Sequence, residues 1–320
     1  MDKEDKKIGI SRREAIKVFG LSLAGFATFF VGREIKGFSE YDPSNPIIDV
    51  IYHKVPGMTQ RAFVIHLTDL HFGGAEAYVN AQVLDTIIGK INQTTHQLGA
   101  TPDTTAFIMT GDWLSKEEKP RFHIQAPNNG ETDIKDVPLM LEILQDLKAK
   151  HRVGVLGNHD HKHAQRIELM KYLTHSGIQL LDINSEFYNG DFPIPILGLP
   201  DFTQFSDYYS PTQIQEIATA LCLYDGPQIV ATHNASIVDI ARLGEFVKNV
   251  RFLCGHTHGG HTKHGLLVPY ALSDEYKSHF VRGIYRVGNN LVQMADGVGQ
   301  HPQAAYRQIP AGIIINVYGG

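Results

Sequence analysis

Two cysteines in a chain of 320 residues cannot build a disulfide framework. Cys254 ends an apolar run and reads as core; Cys222, closing Ile217-Ala218-Thr219-Ala220-Leu221, reads as a buried helix position. Basic charge is also short: 29 Lys and Arg stand against 34 Asp and Glu, a net charge of -5. That balance leaves no electropositive footprint and argues against a nucleic-acid partner. Neither an internal repeat nor a low-complexity tract interrupts the chain. With 42% hydrophobic and 20% charged residues, the composition is that of a globular protein able to bury a large core. Long apolar runs are missing too, and the best one, residues 18–32, has a short reach. Fifteen residues rise only about 22 Å as a helix, against a hydrocarbon core of roughly 30 Å.

That short run follows a polar, Lys- and Arg-rich start ending in Ser11-Arg12-Arg13-Glu14-Ala15-Ile16-Lys17. The order basic-then-apolar is that of an export signal, and the paired arginines resemble a twin-arginine signal, read by the twin-arginine export machinery. Gly25-Phe26-Ala27 is the best small-x-small cleavage site, and an uncleaved segment would stay as a membrane anchor. Residues 1–37 are therefore set aside as signal or anchor and linker. Residues 38–320 are expected to form the folded domain, exported to the periplasm or cell envelope.

What the chain has in plenty is histidine, 17 in all, and several stand at the ends of apolar runs. The stretch Gly255-His256-Thr257-His258-Gly259-Gly260-His261 follows the run 250–254, short enough for a buried strand. In an extended chain alternate side chains share a face, so His256 and His258 project together, and the glycines leave room for an ion or substrate. Residues 61–67 form a second strand pattern that runs into Asp69-Leu70-His71, again two apart, with His66 turned to the other face as a structural residue. A third, 104–110, ends in Gly111-Asp112. A fourth, 152–156, ends in Gly157-Asn158-His159-Asp160-His161, and a fifth, 228–231, in Thr232-His233-Asn234. Carboxyl ends of strands are where open α/β sheets place their sites. An Asn oxygen can ligate a metal without adding charge; His159 could donate a proton, with Asp160 fixing its tautomer. His161 and His163 read as surface residues of a following helix.

Between these runs, helical periodicity predicts helices over 75–98, 137–150, 165–175, 213–223 and 235–243. Residues 115–136 are polar, with Pro120, Pro127 and Asn128-Asn129-Gly130, and form either a lid or, preferentially, a surface excursion. The aromatic run Phe202, Phe205, Tyr208 and Tyr209 could contact substrate or lipid, or pack within its loop. Alternation over 280–287, 291–294 and 313–317 predicts strands closing a second sheet.

The ordered set Asp69-x-His71, Gly111-Asp112, Gly157-Asn158-His159-Asp160, His233 and Gly255-His256-x-His258 resembles the calcineurin-like metallophosphoesterases. The tail, through Arg282-Gly283, Gly297-Val298-Gly299 and Arg307-x-x-Pro310, resembles the exported, twin-arginine-linked branch of that family. His261 departs from the glutamine that often follows the two glycines, and the 115–136 segment is longer than usual; both bear on substrate shape. The resemblance implies a four-layer αββα sandwich and a dinuclear site. In it Asp69, His71 and His258 hold one metal, Asn158, His233 and His256 the other, and Asp112 bridges them. Such oxygen and imidazole donors suit two divalent or trivalent ions of Mn, Fe or Zn. The implied chemistry is hydrolysis of a phosphate ester, a diester by preference, by a metal-bridging hydroxide, with His159 serving the leaving oxygen. The substrate would be a phosphoester small molecule or lipid. Two other readings stand beside it: a pyrophosphatase acting on a nucleotide-linked lipid such as a UDP-acylglucosamine, and a metal-binding cell-envelope interaction protein without catalysis.

Overall fold

The computed structural model describes residues 45–73, 79–114, 134–182, 185–202, 204, 209–259, 280–299 and 312–320. The leader, most of the 115–136 segment, Phe205, Tyr208, His261 and the Arg307-x-x-Pro310 motif lie outside them. Two sheets carry the fold. The first has the order β1-β11-β2-β3-β4-β5. Its strands are β1 (Ile47–Lys54), β2 (Ala62–Leu67), β3 (Thr105–Thr110), β4 (His151–Val155), β5 (Gln179–Leu180) and β11 (Gly312–Gly319). The second, β6-β7-β8-β10-β9, is built from β6 (Ile196–Gly198), β7 (Gln228–Ala231), β8 (Val250–Cys254), β9 (Gly283–Val287) and β10 (Asn290–Met294).

Alternation along each strand sorts side chains between layers. On the first sheet Val64, Ala106, Ile108, Val153 and Val155 face inward and meet Ile196, Ile229, Ala231 and Leu253 of the second. The intervening residues Ile65, Leu67, Phe107 and Met109 pack outward on α1 (Ala81–Gln97), α2 (Val137–Gln145) and α4 (Arg166–His175). Val230, Phe252, Cys254, Val292 and Met294 do the same against α5 (Pro211–Leu221), α6 (Ser236–Asp239) and α7 (Leu243–Phe246). The result is helix, sheet, sheet, helix: the four-layer αββα sandwich. Strands buried on both faces explain why β2, β3, β7 and β8 read as near-continuous apolar runs.

Several expectations change. The strand at 313–317 lies in the first sheet, parallel to β1 and antiparallel to β2, so only β9 and β10 extend the second. Helix α1 starts at Ala81, because the Asn80 side chain accepts the Val83 amide and caps it there. The helix expected over 235–243 splits into α6 and α7, with Arg242 between them in the left-handed region. Cys222 is exposed: Leu221 takes the last inward position of α5, and one further residue rotates about 100° away. His161 is not a surface residue. It stands three positions after Asn158 in the short helix α3 (Asn158–Lys162), its ring only 9% exposed and 3.8 Å from the Asp182 carboxylate. His163 is half-buried, and its Nδ1 accepts the Gln165 amide. In the aromatic run, Phe202 stacks on Tyr209 and the Tyr209 hydroxyl donates to Pro200, which is packing within the loop. His66 faces the layer between the sheets, bonded to Thr110 and Gln293, and burial pushes its pKa down to about 3.

Candidate metal centre

The ligand candidates do not sit on the strands. β2 ends at Leu67, β3 at Thr110 and β8 at Cys254, and the turns that follow hold Asp69, His71, Asp112, His256 and His258 at positive φ, between 45° and 72°. Among the described residues only Ser185, Arg242 and Asn249 share that conformation outside glycine. Strand alternation therefore is not what aims each Asp-x-His or His-x-His pair to one side; successive left-handed turns do. Each such residue stores about 1–3 kcal/mol of backbone strain, which the surrounding bonds must offset. Those bonds zip the turns together. The amides of Asp69 and His71 donate to Gly111 and Asp112, and that of Gly255 to His233. Between the sheets, the His256 amide donates to Asp69 Oδ2 at 2.9 Å.

Glycines at the same turns let the backbones approach. A Cβ on Gly157 would stand 2.1 Å from Asp112 Oδ1, and one on Gly255 would stand 2.3 Å from Asp69 Oδ2. Gly297-Val298-Gly299 stands out in the sequence only as part of the tail; its place at the site, in a strap over 296–299, is not legible there. The amides of Val298 and Gly299 donate to the carbonyls of Thr68 and Asp69, pinning that turn from above.

Asp69, His71, Asp112, Asn158, His233, His256 and His258 meet in one place. His71 Nε2 lies 3.2 Å from His258 Nε2, and His258 Nε2 3.3 Å from Asp69 Oδ1. In the second cluster, Asn158 Oδ1 is 3.0 Å from His233 Nε2 and 2.9 Å from His256 Nδ1, and the two nitrogens are 3.1 Å apart. Asp112 Oδ2 stands between, 3.6 Å from His71 Nε2 and 3.3 Å from His233 Nε2. Donors about 2.1 Å from one ion are separated by about 3.0 Å in an octahedron and 3.4 Å in a tetrahedron. The observed edges match both.

The donor chemistry fits a cation as well. His233 Nδ1 lies 2.7 Å from the Thr110 carbonyl, which can only accept, so Nδ1 carries a proton. Nε2 then faces Asn158 and Asp112 oxygens, an arrangement that needs positive charge at that point. Burial pulls the His233 pKa down, but the Asp112 carboxylate outweighs it and the net position is well above the ordinary value. Conversely, burial raises Asp112, yet His233, His159 and His71 together hold it well below the usual carboxylate range. Asp69, pushed up to about 6 chiefly by burial, has in Oδ1 a buried oxygen without a hydrogen-bond donor among the described residues.

Asp160 is placed differently. Its carboxylate accepts the amides of Trp113, Leu114 and Gly157 at 2.9–3.2 Å, so it ties the turn after Asp112 to the start of α3. Burial, with Asp112 adding to it, pushes its pKa up to about 8. His159 gives its amide to Asp112 Oδ1 at 2.9 Å, and its ring meets that of His71 edge-on with centroids 4.8 Å apart.

Contiguous Asp/His clusters on the turns that follow the strands of two packed sheets could hold metal ions, and the family model makes the chain a metal-dependent phosphoester hydrolase. The chain belongs to the calcineurin-like phosphoesterase family, whose model matches residues 64–260. That family is binuclear-metal dependent. Among solved structures that resemble the chain is the sulfate thiohydrolase SoxB of Thermus thermophilus in complex with glycerol. The likeness has a TM-score of 0.42 and 12% identity, covering 81% of this chain; the chain spans 56% of that protein. Comparison with curated proteins gives no match.

Proposed function

We propose that the chain is a dinuclear phosphodiesterase. In it Asp69, His71 and His258 hold one ion, Asn158, His233 and His256 the other, and Asp112 both. The observation that carries this reading is the position of Asp112 Oδ2, within 3.6 Å of nitrogens from both clusters. When bound, two Mn, Fe or Zn ions would make hydroxide available near neutral pH and offset charge on the phosphoryl oxygens. The protein's part is to hold these donors rigid and dry: none of the nine site residues exceeds 9% exposure. What exposure remains falls on Asn158, His159, His256 and His258, at 4–9%, against at most 2% for the other five. That face is the approach for substrate, and His159 lies on it, placed to give a proton to the leaving oxygen. Asp160, by fixing the turn around Asp112 and the start of α3, orients His159 through the backbone.

The enzyme would act in the cell envelope after twin-arginine export, with residues 18–32 as signal or anchor; the pair Arg12-Arg13 ahead of that run supports this. The test of the chemistry compares bis-p-nitrophenyl phosphate with p-nitrophenyl phosphate, using metal-stripped protein reloaded with Mn²⁺. Faster turnover of the diester is expected, and His159→Ala should lower kcat by about 10²–10⁴ while retaining its metal. A preference for the monoester overturns the diester assignment. Turnover unchanged in His159→Ala overturns the role of His159. Two bound metals with no turnover would favour a lipid pyrophosphate substrate or a binding protein.

A further inference from the structure

The strap that pins Asp69 and the turn that carries His256 and His258 are joined by an ion pair outside the ligand set. Arg282, just before β9, places its guanidinium 2.7 Å from the carboxylate of Asp296, the residue that opens the strap after β10. Each partner stands next to a contact with a ligand turn. On the Arg282 side, the neighbouring Val281 carbonyl accepts the hydroxyl of Thr257, the residue between His256 and His258, at 2.5 Å. The Tyr285 hydroxyl in turn accepts the amides of Val281 and Arg282, which keeps that carbonyl in place. On the Asp296 side, Gly297 presses on Asp69 so closely that a Cβ there would stand 2.8 Å from Asp69 Cβ. Beyond it the Val298 and Gly299 amides hold Thr68 and Asp69 at 3.2 and 2.7 Å. The strap also leaves the second sheet for the first, since Gly297 accepts the Gly312 amide at the start of β11.

We propose that Arg282 and Asp296 form a clamp that sets the separation of the Asp69 turn from the His256-Thr257-His258 turn, and so act as positioning residues for the metal centre. The inference rests on the dinuclear reading above. The contacts it governs are those that cross between the turns, His258 Nε2 to Asp69 Oδ1 and the His256 amide to Asp69 Oδ2. Loosening the clamp frees both, so the ion held by Asp69, His71 and His258 is lost first.

The test measures Mn²⁺ retained after dialysis against a weak chelator, with melting curves of the metal-free and loaded proteins, for wild type, Arg282→Ala, Asp296→Asn and Arg282→Lys. The wild type should retain two ions per chain. Arg282→Ala and Asp296→Asn should bind one of them about 10–100-fold more weakly, the range for residues that orient ligands from behind. Arg282→Lys, which keeps the charge, should recover part of the loss. The metal-free melting points should agree while the loaded ones separate. Two ions held with wild-type affinity in both disrupting variants overturn the clamp and leave the dinuclear reading intact. Equal loss of melting temperature with and without metal reduces the pair to a general stabiliser and also overturns it. A wild type that retains no metal overturns the dinuclear reading and the clamp with it.

Discussion

Gly255→Ala is a one-carbon change whose consequence can be worked from the structure. The added Cβ would stand 1.9 Å from Thr68 Oγ1 and 2.3 Å from Asp69 Oδ2. Restoring an ordinary contact of 3.4 Å requires the Asp69 carboxylate to move by about 1 Å. Neither neighbour yields easily: Thr68 donates to Asp69 Oδ2 at 2.7 Å, and Gly299 grips the Asp69 carbonyl at 2.7 Å. Overpacking of this kind destabilises by about 1–3 kcal/mol. If Asp69 is a metal ligand as proposed, a displacement of about 1 Å there lowers the rate by about 10²-fold. The assays are a urea melt of metal-free protein and kcat/KM for bis-p-nitrophenyl phosphate at saturating Mn²⁺. Gly89→Ala is the control, because a Cβ there meets nothing within 4 Å and the site lies inside α1. It should leave the rate unchanged and stabilise by up to about 1 kcal/mol. Wild-type kcat/KM and metal content in Gly255→Ala would refute the claim that close backbone approach positions Asp69.

Asp182 should make stability fall with pH. Burial pushes its carboxyl up to about 7 from an ordinary 3.8, so across that window the folded chain keeps a proton the unfolded chain has released. Each unit of separation weakens the fold by about 1.4 kcal/mol once the pH has passed it. Asp182→Asn still accepts the Leu156 amide, so its urea midpoint should fall less than wild type between pH 4 and pH 8; parallel slopes would refute this. Replacing Arg12 and Arg13 together by lysine should leave the protein in the cytoplasmic fraction and the activity of the purified domain unchanged. Unaltered export would refute the twin-arginine assignment.

The candidate site positions stand out because each apolar run ends in a chemically distinctive residue, and the order of those ends is enough to suggest a site. How they converge was not legible. Alternation in an extended strand predicts His256 and His258 on one side, but both lie beyond β8, at φ 72° and 46°, in turns stabilised by contacts from other elements. Sheet membership was similarly hidden, since alternation over 313–317 identifies a strand without naming its neighbours; pairing with β1 and β2 is a long-range outcome. β1 itself was overlooked. As an edge strand it buries its residues only partly, and Asp49 breaks the apolar run Ile47-Ile48-Asp49-Val50-Ile51. Asp160 reads as a partner for the adjacent imidazole, yet three backbone amides, two of them more than 45 residues away, claim its oxygens. Local sequence cannot announce contacts of that span.

The most direct test of a dinuclear centre is hydrolysis of bis-p-nitrophenyl phosphate as Mn²⁺ is added in equivalents to metal-stripped protein, with bound metal counted at each step. The arrangement around Asp112 predicts that two ions bind per chain and that turnover rises chiefly with the second. Full turnover with one ion bound, or with none, would contradict it.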